Sequence, residues 1–197
     1  LFHPATPPWA PLGVQLGYVV FAARLQPLKA PDVAIRTMAC LPEAIRPDLA
    51  VVGETSADFA DYEAELHTLV ADLGLRGQVH FLAGQDRESL ARIVRHASVM
   101  LVPSHSETFG LIALEASASG VPVLAAASGG LTEAICNTHT GLLIPTHDPR
   151  MWAEALGALL TDKPRRDLMG TTGRQRALAM TWERAAENTL QQYRRIL

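Results

Sequence analysis

Two carboxylates with seven residues between them flank a glycine turn in the stretch 103–120. Glu107 lies in the turn, and Glu115 lies in the apolar segment 111–119 that follows it. Glu115 is the only charged residue between Thr108 and Thr132. A helix that is apolar on every side is usually buried, and an unpaired carboxylate there is unstable. Glu115 is therefore expected to bind the hydroxyls of a polyol such as a sugar or ribose, to pair with a distant cation, or to be partly exposed.

Two cations, Arg24 and Lys29, follow the apolar run 17–23 in a polar turn that contains proline. An arginine can hold two oxygens of a diphosphate at once, and a lysine adds a mobile point charge. A diphosphate is therefore one expected ligand of this turn. The alternative is that both are surface cations whose aliphatic stems lie along the protein beside an exposed loop.

The turn 106–111 presents the N-terminus of the apolar helix to a ligand. Free backbone N–H groups and the helix dipole favour an anion such as phosphate at this end. Gly110 would let the backbone approach a ligand closely. In the alternative reading, Thr108 merely caps the helix. Gly129 and Gly130 form either a second point of close approach or a plain strand-to-helix turn.

Short apolar runs alternate with helical patterns along the chain. Strands are predicted at residues 17–23, 49–52, 79–82, 99–102, 121–126 and 141–144, and helices at 32–41, 58–73, 87–96, 111–119, 132–136, 148–160, 164–180 and 182–197. This alternation predicts a doubly wound, Rossmann-like α/β fold, with a parallel sheet of about six strands and helices on both faces. Ligands of such sheets bind beyond the carboxyl ends of the strands, which here carry polar turns at 24–29, 85–87 and 105–110.

The composition favours neither a nucleic-acid-binding protein nor a membrane protein. The chain has 197 residues, a formal net charge of −3 and 48% hydrophobic residues. This charge favours neither nucleic acid nor an anionic membrane surface. The two cysteines, Cys40 and Cys136, lie far apart without CxxC spacing, which is typical of a reduced, cytoplasmic protein. No apolar stretch is long enough for a membrane span, and the first residues lack the pattern of a signal peptide.

Several catalytic signatures are absent from the sequence. No GxGxxG follows the first strand, and there is no GxxxxGK[ST], HExxH or GxSxG. These absences disfavour a nicotinamide dehydrogenase, a P-loop NTPase, a zinc protease and a serine hydrolase. The seven histidines do not cluster along the chain, although His105 falls near the carboxylate turn. We expect neither a metal ion nor an organic cofactor.

Taken together, the two charged stretches resemble one enzyme family. The segment SETFGLIALEASASGVPVLAA resembles the E-x7-E region of the family 4 retaining glycosyltransferases, which have the GT-B fold, and ARLQPLKAPD resembles their R-x4-K diphosphate loop. The later segments SGGLTEAI and GLLIPTHDP match in order and spacing. The resemblance extends from about residue 17 to residue 188 and covers only the family's C-terminal, donor-binding domain.

This resemblance implies a role for each matching position. Arg24 and Lys29 would hold the diphosphate of a nucleotide-sugar donor, which with Glu107 makes them the implied catalytic residues. Glu107 would bind the hydroxyls of the transferred sugar and would not act as a nucleophile. Glu115 would bind the ribose, and Gln85 or Arg87 would lie near the base. The implied substrate-binding residues are Arg24, Lys29, Gln85, Glu107, Thr108, Phe109, Gly110, Leu111 and Glu115.

Three positions depart from the family pattern. Ala23 replaces a glycine before the arginine, which could narrow the approach of the diphosphate. Ala30 replaces a common glycine after the lysine, and Thr132 replaces a common proline. None of the three changes a charged contact.

The resemblance also implies a domain organisation. Residues 1–16 would be the remnant of an interdomain linker, 17–180 the nucleotide-sugar-binding domain, and 181–197 a helix that crosses back to an N-terminal domain. Because the acceptor site of this fold belongs mainly to that N-terminal domain, this chain alone is expected to be inactive. Leu190, Tyr193 and Leu197 would then be exposed or would support a homodimer.

Within the family, QPLKAPD most resembles the actinobacterial branch of mycothiol synthesis. That branch transfers N-acetylglucosamine from UDP-N-acetylglucosamine (UDP-GlcNAc) to 1D-myo-inositol 3-phosphate. Three alternatives stay open: another donor such as GDP-mannose, a nucleotide-sugar-binding module without turnover, and a nucleotide-sugar epimerase of related fold.

Overall fold

The computed structural model describes residues 1–5 and 7–196, which build one six-stranded parallel sheet. Each strand has four residues, mostly Val, Leu and Ala, and β2, β4 and β5 are buried along their whole length. Apolar strands of this kind suit a sheet that is covered on both faces. The strands are β1 (Val19–Ala22), β2 (Leu49–Val52), β3 (Val79–Leu82), β4 (Val99–Val102), β5 (Val123–Ala126) and β6 (Gly141–Ile144).

Helices cover both faces of the sheet, as the sequence predicts. They are α1 (Pro31–Cys40), α2 (Ala60–Asp72), α3 (Arg87–His96), α4 (Leu111–Ala118), α5 (Leu131–Ala134), α6 (Pro149–Thr161), α7 (Lys163–Leu178) and α8 (Trp182–Ile196). Helix α1 packs against α2 and α6, whereas α4 packs against α3 and α7. The two groups lie on opposite faces because right-handed crossovers on either side of β1 leave the sheet in opposite directions.

The strand order is β3-β2-β1-β4-β5-β6, so the direction of winding reverses between β1 and β4. These two strands pair in register from Val19 with Val99 to Phe21 with Leu101. The loops that follow them therefore leave the same edge of the sheet side by side. In open α/β sheets this reversal opens the crevice in which ligands bind.

Four strands have the predicted bounds, and the other two are shorter than predicted. The extra residues predicted for β5 include Pro122, which has no N–H to donate and therefore lies before the strand. Its carbonyl oxygen still accepts a hydrogen bond from the Met100 N–H at 3.0 Å. Helix α2 also begins later than predicted, because residues Ala57–Phe59 form a single 3₁₀ turn. Helix α5 begins and ends slightly earlier than predicted.

The largest core side chains are buried with their polar atoms satisfied. Trp152 is fully buried, and its indole N–H donates to the Thr146 carbonyl oxygen at 2.7 Å. Tyr18 is also fully buried, and its hydroxyl donates to the Ile93 carbonyl oxygen at 2.6 Å. These bonds link the ends of strands to helices α3 and α6, and they stabilise the two layers against the sheet.

Helix α8 leaves apolar side chains exposed. Leu190 and Tyr193 are exposed, as expected, and Leu197 lies outside the described residues. Use of this helix in a homodimer or against another domain stays a prediction, as do the predicted domain boundaries. Among the residues that the structure describes, every helix is too short or too polar to cross a bilayer.

Candidate active site

An open cleft of about 350 Å³ lies at the reversal of strand order. It is bounded on one side by residues that follow β1 and on the other by the turn after β4. Seven of the nine predicted substrate-binding residues are brought together here. The lining residues are Ala22, Ala23, Arg24, Lys29, Glu107, Thr108, Phe109, Gly110, Leu111 and Ile112.

Lys29 reaches across this cleft to Glu107. Its Nζ donates to Glu107 Oε2 at 2.7 Å, and each side chain is only 18% exposed. Lys29 ends a 3₁₀ turn, and Ala30, the residue that replaces the family's glycine, adopts the left-handed region at φ 52°. Arg24 is exposed at the edge of the cleft and, in the described part of the chain, has no acidic partner within 4.0 Å. The charge of Lys29 is thus neutralised by Glu107, whereas the charge of Arg24 is available to bind an anion.

The turn after β4 presents an uncapped helix N-terminus to the cleft. Gly110 is the N-cap of α4 at φ 77°, a conformation that favours glycine, and no side chain caps the helix. The alternative in which Thr108 caps the helix is therefore wrong. The first N–H groups of α4 lack the partner that a capping side chain would supply, which leaves them suited to an anion.

The two glycines after β5 hold this turn in place. The Gly130 N–H donates to the Glu107 carbonyl oxygen at 2.8 Å. A Cβ atom on Gly130 would lie 2.4 Å from the Thr108 carbonyl oxygen, and one on Gly129 would lie 2.2 Å from that of Glu107. Both readings of this pair therefore hold. The glycines form the turn from β5 to α5, whose N-cap is Gly130, and they closely approach the backbone of the carboxylate turn.

Helix α4 is less buried than its sequence predicts. Ala113, Ala116 and Ser117 are buried, but Leu111 is 62% exposed at the mouth of the cleft. The prediction of a helix that is buried on every side is wrong, because the first residues of α4, Leu111 and Ile112, line the cleft. Phe109, in the turn itself, is also 63% exposed.

Glu115 has a protein partner in the structure. Its Oε1 accepts a hydrogen bond from Nη2 of Arg87 at 3.1 Å, and its side chain is 22% exposed. Both the distant-cation alternative and the partly exposed alternative therefore hold for the described chain. Burial raises the pKa of the Glu115 carboxyl, and the nearby Arg87 charge only partly opposes this rise.

The raised pKa of Glu115 predicts a stabilising substitution. The folded protein holds this proton to higher pH than the unfolded chain does, so stability falls as pH rises from the ordinary carboxyl pKa through the raised one. Glu115→Gln removes this penalty. We expect its Tm to exceed that of the wild type at pH 7, and to match it at a pH below the ordinary carboxyl pKa, where both side chains are neutral.

Differential scanning calorimetry at the two pH values measures this effect. Glu187→Gln, the same change at an exposed position of α8, is the matched control and is expected to leave Tm unchanged at both. A Glu115→Gln protein that is less stable than the wild type at pH 7 contradicts the prediction.

Gln85 is placed apart from the cleft. It lies in the exposed loop after β3, where its Nε2 donates to the Ala83 carbonyl oxygen at 2.8 Å. A second depression of about 290 Å³ lies beside this loop, and its lining includes Glu54, Glu63 and Leu82. The sequence predicted Gln85 or Arg87 near the base but gave no sign of the two carboxylates, which no local motif marks.

Two histidines meet although they are far apart in sequence. The rings of His105 and His147 lie 4.0 Å apart, and Nε2 of His147 is 2.9 Å from the Pro103 carbonyl oxygen. The backbone N–H of His105 donates to the Leu28 carbonyl oxygen at 2.9 Å, which ties the lysine turn to the carboxylate turn. Within residues 1–5 and 7–196, no three His, Cys, Asp or Glu side chains are grouped to hold a metal ion.

The chain is thus a Rossmann-like α/β domain with cations and an uncapped helix N-terminus at its switch point, an arrangement suited to an anionic ligand. The family model of the group 1 glycosyl transferases matches residues 13–176, and the chain belongs to this family. The resemblance to the family 4 glycosyltransferases and the predicted fold class are thereby confirmed.

The chain is similar to curated proteins and to solved structures. It is 47% identical over 179 residues to a D-inositol 3-phosphate glycosyltransferase of Stackebrandtia nassauensis, with 88% of the chain and 40% of the relative covered. It matches the structure of a sucrose-phosphate synthase of Thermosynechococcus elongatus with a TM-score of 0.86 and 32% sequence identity. This match covers 99% of the chain and 49% of the synthase.

A third match shares the fold at lower identity. HepE of Anabaena, solved in complex with UDP and glucose, has a TM-score of 0.82 at 22% identity, with 92% of the chain and 49% of HepE covered. The chain thus spans about 40% of the length of the Stackebrandtia relative and about half of each solved protein.

Proposed function

We propose that this chain is the donor-binding domain of a retaining glycosyltransferase and that it binds a nucleoside-diphosphate sugar. One observation carries the proposal: Arg24 and Lys29 from the end of β1 line the same cleft as the uncapped N-terminus of α4. Cationic side chains and helix N-terminal N–H groups are the two common ligands of phosphate oxygens. Family membership supports transferase activity in the longer parent protein.

Each predicted substrate-binding residue has a role in this proposal. Arg24 and Lys29 bind the diphosphate, and the backbone N–H groups of residues 108–111 bind the β-phosphate and the sugar. Glu107 accepts hydrogen bonds from sugar hydroxyls, and Glu115 accepts them from the ribose. Gln85, in the exposed loop after β3, is assigned to the base.

The proposed reaction retains the configuration of the sugar. The bond between the anomeric carbon and the β-phosphate oxygen breaks, and the acceptor oxygen forms a bond to the same face of that carbon. The acceptor proton passes to the leaving phosphate oxygen, so that UDP and the glycoside are the products. Positive charge and N–H dipoles stabilise the negative charge that grows on the diphosphate, which is the main contribution of these residues.

We further propose that the donor is UDP-GlcNAc and the acceptor 1D-myo-inositol 3-phosphate. The name of the Stackebrandtia relative supports the acceptor, and the UDP bound by HepE is consistent with the donor nucleotide. The acceptor would be met by a further domain of the parent. For this reason the chain by itself is expected to bind the donor without transferring its sugar.

Titration calorimetry with nucleotides tests the donor part of the proposal. We expect UDP to bind in a 1:1 complex and to bind about tenfold or more tightly than UMP, because the second phosphate gains charge-assisted hydrogen bonds. GDP binding more tightly than UDP would favour the GDP-mannose alternative. If no nucleoside diphosphate binds to the folded chain, the proposal is wrong.

Transfer is measured with the parent protein, UDP-GlcNAc and 1D-myo-inositol 3-phosphate, by release of UDP. Efficient transfer by this chain alone would contradict the proposed need for another domain. Formation of an epimeric sugar nucleotide without acceptor would favour the epimerase alternative.

A further inference from the structure

The first residues of the chain lie along helix α3. The ring of Trp9 lies 4.3 Å from the guanidinium carbon of Arg92 and 5.3 Å from the ring of His96. Nε2 of His96 is 3.1 Å from the Pro7 carbonyl oxygen. Cation–π and hydrogen-bond contacts therefore join the N-terminal segment, residues 1–5 and 7–10, to α3 over most of its length.

Arg87 stands at the end of this contact that is nearest the cleft. The Phe2 ring lies 5.9 Å from its guanidinium carbon, and its Nη2 donates to Glu115 at 3.1 Å. A single guanidinium therefore contacts both the N-terminal segment and the carboxylate of α4.

The position of Arg87 is not explained by helix formation. It is the first residue of α3, where the helix dipole disfavours a cation. The helix start is already satisfied by Asp86, whose Oδ1 accepts the Ser89 N–H at 2.8 Å. Arg87 is also 72% exposed on its side chain, so core packing does not explain it either. Its contacts with Phe2 and Glu115 remain as the features that give it one orientation.

We propose that Arg87 is a positioning residue that holds Glu115 for the ribose and that is itself oriented by Phe2 of the N-terminal segment. This inference rests on the proposed function, which assigns Glu115 to the ribose. One oxygen of Glu115 accepts from Arg87, and the other is left for the ribose hydroxyls. The contact also favours the ionised form of Glu115, which burial alone opposes. The conformation of the N-terminal segment thereby affects the affinity of the donor site.

Arg87→Met tests the first step, because it keeps much of the side-chain volume and removes the charge. We expect it to weaken UDP binding about two- to fivefold, the range of a partly exposed ion pair, and to leave pyrophosphate binding unchanged. Arg87→Lys is expected to restore most of the affinity, since only one N–H of Arg87 contacts Glu115. The control is Arg76→Met, because Arg76 is exposed and, among the described residues, has no ion pair with Glu115 and no cation–π contact with the N-terminal segment.

Phe2→Leu tests the second step. We expect it to weaken UDP binding less than Arg87→Met does, and to have no effect when Arg87 is already Met. Carbon-13 NMR of the Glu115 carboxyl in the free protein gives a readout without nucleotide. The pKa of Glu115 is expected to rise in Arg87→Met and to stay at the wild-type value in Arg76→Met.

The outcomes separate this inference from the proposed function. If the wild type binds UDP and Arg87→Met binds it equally well, the positioning role is wrong and the proposed function stands. If Arg87→Met weakens UDP and pyrophosphate to the same extent, Arg87 acts on the whole site and its assignment to the ribose is wrong. If the wild type binds no nucleoside diphosphate, the proposed function fails, and this inference fails with it.

Discussion

Lys29→Ala is expected to weaken UDP binding roughly 10- to 100-fold, the equivalent of about 1.5–3 kcal/mol for one charge-assisted hydrogen bond. Two effects add in the same direction. The diphosphate loses a cation, and Glu107 loses the partner that neutralises it in the free cleft. With an exposure of only 18%, the unpaired carboxylate then repels the incoming phosphates at short range.

The second effect can be separated by a double-mutant cycle. Glu107→Gln removes the negative charge and releases Lys29, so this variant is expected to bind UDP at least as tightly as the wild type. The double variant is expected to bind UDP more tightly than Lys29→Ala alone, because the repulsion is absent. Glu107→Gln is also expected to lose the extra affinity of UDP-GlcNAc over UDP, since Glu107 is assigned to the sugar hydroxyls.

Lys163→Ala is the matched control for this cycle. Lys163 and Lys29 are the two lysines of the chain. Lys163 pairs with Asp167 on the exposed face of α7, within a single turn of that helix. Its replacement is expected to leave UDP affinity unchanged, and titration calorimetry of all five proteins measures the set. Equal UDP affinities for Lys29→Ala and Lys163→Ala would show that the diphosphate does not bind at Lys29.

Local patterns were sufficient to predict the fold. Strands β2, β3, β4 and β6 have the predicted bounds, because each is a short, mostly apolar run that is followed within two residues by a glycine or a proline. The convergence of residues 24–29 and 107–111 on one cleft also followed from sequence, since loops at the carboxyl ends of adjacent parallel strands must lie together. What the cleft binds stays a proposal.

Pairing between distant residues could not be predicted in the same way. Lys29 and Glu107 are 78 positions apart, and Arg87 and Glu115 are 28 apart, so no helical or strand period relates them. The exposure of α4 was missed for a related reason. An apolar helix next to a ligand cleft has the same composition as one inside a core, and only the tertiary arrangement distinguishes them.

Gly130→Ala is expected to weaken UDP binding by about tenfold or more although Gly130 lies outside the cleft lining. Its backbone has φ −62°, a region open to alanine, so the effect is purely one of space. The added Cβ would lie 2.4 Å from the Thr108 carbonyl oxygen and 2.7 Å from Phe109 Cα. Both contacts are with backbone, which cannot rotate away, so the turn that is proposed to bind the β-phosphate through its N–H groups must move.

The loss should depend on the β-phosphate. UMP, which lacks that group, is expected to lose little affinity in Gly130→Ala, whereas UDP and UDP-GlcNAc lose most. The unfolding free energy is expected to fall by about 1–3 kcal/mol, as for other overpacked sites.

Gly157→Ala is the control. Gly157 lies inside α6, and its added Cβ would be 3.5 Å from the side chains of Ile45 and Leu41, which is an ordinary van der Waals distance. That variant is expected to keep UDP affinity and to gain about 0.5–1 kcal/mol of stability, since alanine favours a helix interior over glycine. Urea unfolding and calorimetry of the two variants distinguish a displaced turn from a general loss of stability. If Gly130→Ala is destabilised but binds UDP as the wild type does, the turn at residues 107–110 does not hold the β-phosphate, and the anion site must be assigned to Arg24 and Lys29 alone.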